Sequence, residues 1–146
     1  MITHDFAYRI KRSADYEAKM KELRDKKIFE GYRDILMASA VVGVANNAYK
    51  KVDNPAQDGV LMQFFKDFDR DIMDLIAFVH EKSQKILSSG DGADKNKKYE
   101  IFESYANGGF PILLQILDTE GDDRNTILSK YYASLVTGVK ANEDVL

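Results

Sequence analysis

Residues 27–48 constrain the fold more than any other part of the chain. Ile28, Phe29, Tyr32, Ile35, Leu36, Ser39, Ala40, Val42 and Gly43 recur at helical spacing on a broad face. Met37, Ala38, Val41 and Val44 fill the positions between them, so beyond Asp34 the helix is apolar nearly all round. Such a helix has no side to offer water, so neighbouring elements must cover it. This predicts a helical core with residues 28–44 at its centre. Ala38, Ser39, Ala40 and Gly43 are small enough to let another helix approach closely, and Asn46-Asn47 suits the end. The run Ile35–Ala45 falls well short of the roughly 20 residues of a membrane span.

The other segments are arranged around this one. Residues 1–13 have weak periodicity and read as an arm. Residues 14–26 are strong helix formers with a thin apolar seam of Tyr16, Met20 and Leu23. Residues 50–59 carry the turn signals Asn54-Pro55 and Asp58-Gly59. The apolar run 60–65 is open between a short strand and the lead-in to a helix. Helical spacing then extends over 67–87, with aspartates in its first turns and lysines in its last, the polarity that the helix dipole favours. A loop at 88–96 precedes a short helix at 97–107, stopped by Gly108. Pro111 suits the first turn of a helix at 110–119, and a last helix is expected at 124–136. The expectation is one all-α domain over 1–146, a compact orthogonal bundle of five or six helices. Its tail at 138–146 is expected to fray.

Composition narrows the chemistry. There is no cysteine, which excludes disulfides, thiolate catalysis and zinc sites of the cysteine type. The first residues lack the charged and apolar regions of a signal peptide, so the expected location is the cytoplasm. Asp67, Asp69, Asp71 and Asp74 mimic the start of a calcium loop. Ile72 and Phe78, however, stand where such a loop needs Gly and Glu. A solvated, dipole-stabilised helix start is the better reading. The acidic turn Asp118, Glu120, Asp122 and Asp123 is an equally weak candidate for a metal site. His4 and His80 lack a paired histidine or a metalloprotease spacing, and no nucleophile elbow or phosphate loop occurs. No cofactor or metal is expected.

The net charge of −3 argues against a strongly basic nucleic-acid binder. Basic residues do cluster at Arg9, Lys11 and Arg12 and again at Lys95, Lys97 and Lys98, giving a candidate DNA contact. Acidic residues interleave the first cluster, so a solvated face is the simpler account.

Two stretches are unusually specific: Phe29–Ala40 and Ile101–Phe110. Arg33 and Asp34 mark the first. Phe102, Glu103, Tyr105, Asn107, Gly108 and Gly109 mark the second, which reads as a helix ending in an Asn-Gly-Gly turn with Phe102 and Tyr105 inward. Glu103 is free to pair with a cation, and Arg33 is the first partner to test.

In Phe29, Asp34, Ala38-Ser39-Ala40 and Gly43, and in the run Ile101–Phe110, the chain resembles a small family of accessory proteins encoded in bacterial DNA phosphorothioation (Dnd-type) loci. The likeness covers roughly residues 25–117. Ser104 stands where the family has Glu, and Ser39 where it has Ala. The resemblance implies a part in phage defence or restriction linked to DNA modification, and it carries over no catalytic residue. Three readings follow. The first is a noncatalytic accessory, adaptor or regulatory protein that binds a larger subunit of a defence complex, with homo-oligomerisation open. The second is a DNA-binding module using the basic arm. The third is a metal-dependent nuclease using Asp67, Asp71 and Asp74.

Overall fold

The apolar stretch forms a helix, α2 (Tyr32–Ala45), in which every residue from Ile35 to Gly43 is buried; it starts four residues later than the expected Ile28, because Gly31 is extended. The computed structural model describes residues 3–82 and 96–120, together with 129–130 and 132–133. Before α2 come a two-residue strand β1 (Arg9–Ile10), a 3-10 turn (Ala14–Tyr16) and α1 (Glu17–Asp25). After it come β2 (Val60–Leu61), a second 3-10 turn (Met62–Phe64), α3 (Asp67–Glu81) and α4 (Lys97–Glu120). The molecule is thus mostly helical, with four α-helices and one small sheet among the described residues.

Three expectations change. The stretches 97–107 and 110–119 are one continuous 24-residue helix, and Gly108 does not stop it. The glycines stay helical because packing against α2 and the loop after it offsets their intrinsic cost of about 1 kcal/mol each. Pro111 sits inside α4, where it has no N–H to offer the Asn107 carbonyl. The helix expected over 67–87 ends at Glu81, where Lys82 turns left-handed (φ 54°, ψ 36°). The segment 1–13 is no loose arm from Thr3 onward. Arg9–Ile10 pairs antiparallel with Val60–Leu61, and Ser13 bridges Pro55. Residues 60–65 are both things the sequence allowed, a two-residue strand and then a 3-10 turn. Most of 124–136, the loop from 88 to 95 and the tail 138–146 lie outside the described residues.

The core forms mainly between α2 and α4, with α3 packed on α4. Ile10 from the strand, Met20 and Leu23 from α1, and the rings of Phe29, Phe65, Tyr99, Phe102 and Phe110 complete it. Among the described residues no helix is long and apolar enough to cross a membrane.

Candidate functional site

The α2–α4 crossing is where the second motif acts. Ser39 and Gly43 lie one turn apart on α2, as do Tyr105 and Gly109 on α4. A Cβ at Gly109 would fall on the Ser39 carbonyl oxygen and 2.6 Å from the Gly43 nitrogen, and one at Gly43 would meet the Tyr105 carbonyl. The two backbones therefore touch, as the small residues of α2 lead one to expect. Gly108 seats the loop that follows α2, since a Cβ there would stand 2.6 Å from the Ala48 carbonyl carbon. Asn107 straps the same loop down. Its Nδ2 donates to the Lys50 and Lys51 carbonyls at 3.0 and 3.1 Å, and the Lys50 amide donates to the Ser104 carbonyl at 3.0 Å.

Glu103 holds the N-terminal segment. Its Oε2 accepts from the Tyr8 hydroxyl at 3.0 Å and from the Lys11 amide at 2.7 Å. Burial pushes its carboxyl up to about 7, and these two hydrogen bonds only partly offset that. The same burial, with the carboxylate beside it, drives the Tyr8 phenol upward. The expected Glu103–Arg33 pair is not formed. Arg33 instead bonds Asp34 at 3.0 Å, approaches Asp69 at 3.6 Å and donates to the Phe64 carbonyl at 3.3 Å. Arg33 and Asp34 line an open hollow of about 430 Å³ with Tyr32, Val60, Leu61 and Phe64. Phe102 is buried edge-on to Phe65. The Tyr105 hydroxyl bonds His80 Nδ1 at 2.7 Å, and Tyr49 stacks on that imidazole at 4.7 Å.

The charged candidates separate. Asp74 is buried, with Lys98 Nζ at 3.2 Å and His4 Nε2 at 3.0 Å, while the Tyr99 hydroxyl bonds His4 Nδ1 at 3.2 Å. Asp67 pairs with Arg70, and Asp71 is exposed. Among the described residues no group of three or more His, Asp or Glu side chains is placed to hold a metal ion, so Asp67, Asp71 and Asp74 are not gathered into one. Of the basic candidates, Lys98 is 1% exposed and also donates to the Thr3 carbonyl. Arg12 is 4% exposed, stacked 4.3 Å from the Tyr32 ring centre. Both are core residues, not surface contacts. Burial lowers the Lys98 ammonium, and Asp74 opposes that. Arg9 is exposed, and Lys95 lies outside the described residues. Lys11 and Lys97 do come together. They line a cleft of about 270 Å³ with Lys51, Tyr49, Glu100, Glu103 and Ser104. The sequence set His4 aside and did not mark Tyr49 or Lys51.

The model of a family described as DNA sulphur modification system-associated protein 4 matches residues 9–144, beginning at the first residue of β1. No curated protein and no solved structure matches the chain. The family match takes in α1 to α4 and both motifs, so the chain belongs to the DNA sulphur modification system-associated protein 4 family.

Proposed function

We propose that this protein is a noncatalytic accessory or adaptor subunit of a bacterial, cytoplasmic defence system linked to DNA sulphur modification, and that it works by docking a larger protein of that system. The family supports the setting. One observation carries the docking: Phe64 and Phe68 are 60% and 62% exposed, although the other large rings are mostly packed inward. Phe64 borders the hollow that Arg33 and Asp34 line. Exposed aromatics beside an arginine are the side chains that dominate protein interfaces, because they release much apolar surface on binding while the guanidinium fixes orientation.

The test is co-expression with each modification and restriction subunit of a Dnd-type locus, followed by affinity measurement. The double variant F64A/F68A is expected to weaken the complex by roughly 10-fold or more. Its melting temperature should stay close to that of the parent, because the rings are exposed. Failure of every subunit to bind sinks the adaptor reading, and unchanged affinity of the double variant moves the interface elsewhere. Self-association in place of a heteromeric complex would point to a homo-oligomer.

A further inference from the structure

The overall charge of −3 repels a polyanion, so any contact with one must be local. The lysine-lined cleft is such a place. Lys11 comes from the residue after β1, Lys51 from the loop after α2, and Lys97 from the first turn of α4. Each is set by backbone bonds or by a fixed partner. The Lys11 amide is held by Glu103, the Lys51 carbonyl by Asn107, and the Lys97 ammonium by Glu81 at 2.9 Å on the rim. Lys11 and Lys51 are exposed, and the Lys11 charge opposes the upward push on the Glu103 carboxyl. Two carboxylates also line the cleft. Glu100 is exposed, while the Glu103 Oε2 is already occupied by two donors, and with its carboxyl pushed up to about 7 it carries only part of a negative charge near neutrality. Tyr49, 40% exposed and stacked on His80, forms one wall.

We propose that this cleft seats the phosphodiester backbone of DNA, with Lys11, Lys51 and Lys97 neutralising its phosphates and Tyr49 against the sugar edge. The site differs from a flexible basic arm, because its cations come from three separate pinned elements and Arg12 and Lys98 are taken up by the core. It does not depend on the adaptor reading, since no residue of the Phe64–Phe68 face lines the cleft.

Three phosphate contacts correspond to a log–log salt slope of about −2.7, and so to roughly 40-fold weaker binding between 50 and 200 mM salt. The probe is a fluorescent DNA duplex of about 20 base pairs, read by anisotropy. K11Q/K51Q/K97Q is expected to lose at least about 10-fold in affinity at 50 mM salt and to flatten the slope towards zero. K11R/K51R/K97R should retain both. K51Q alone, at an exposed loop position, should lower the slope by about 0.9. The control K19Q/K21Q/K27Q removes the same charge at exposed positions of α1 and just beyond it, and should keep the parental slope. No binding by the parent at 50 mM salt, or an equal loss in the control, overturns the proposal.

Discussion

At Glu103 one carboxyl oxygen takes two neutral donors, a phenol and a backbone amide, from residues more than 90 positions earlier in the chain. Burial outweighs those bonds, so the folded carboxyl sits near 7 against 4.5 for the free side chain. The folded state therefore holds the proton more tightly than the unfolded chain does. The stability this confers is fully present below about 4.5 and is lost as pH rises through about 7, at most roughly 3 kcal/mol. Glu103→Gln keeps an oxygen for both donors and removes the charge. We expect it to be more stable than the parent at pH 8 in urea denaturation, with the two converging near pH 5. A variant destabilised equally at both values would show that the carboxylate itself is needed. The sequence singled out Glu103 as a residue with a partner to find. It named Arg33 because charge suggests charge, whereas the true donors are neutral and their proximity depends on how the N-terminal segment docks.

Between elements, the Asn-Gly-Gly run has two local meanings, a helix stop or a place where another backbone comes close. The residues alone favour the stop, because glycine weakens a helix and Pro111 follows two positions later. The α2 backbone and the loop that follows it decide otherwise, since α2 occupies the space of a side chain at 109 and the loop at Ala48 that of one at 108. Gly109→Ala should cost about 3 kcal/mol or more, since its Cβ meets backbone and not a side chain that can swing away. Gly31→Ala is the control, because nothing lies within 4 Å of a Cβ there and its backbone is extended. It should stay within about 0.5 kcal/mol of the parent in the same denaturant titration. Equal effects would mean the crossing is looser than described. The α2 half of this contact was readable in advance, from small residues at Ser39 and Gly43 on a helix with no polar side.

For the whole molecule, the decisive event is the docking of residues 3–13. Ile10 enters the core, Tyr8 stacks on Tyr99 at 4.6 Å, and His4 closes a buried network with Asp74, Lys98 and Tyr99. A chain starting at Ser13 should lose at least about 3 kcal/mol from the burial of Ile10 and Tyr8 alone. At this size that is a melting temperature lower by roughly 10 °C. An unchanged melting temperature would restore the loose arm. The sequence by itself determined the helical class, the core role of the apolar run after Asp34, the exclusion of cysteine chemistry and the likeness to the family. These are carried by composition, by the 3.6-residue period and by short motifs, all local along the chain. Only the tertiary structure decided that α4 runs unbroken through Gly108 and Gly109, that Arg12 and Lys98 are buried, and that Lys11, Lys51 and Lys97 share one cleft. Each of those depends on which surfaces meet when distant segments pack, and spacing along a chain does not encode that.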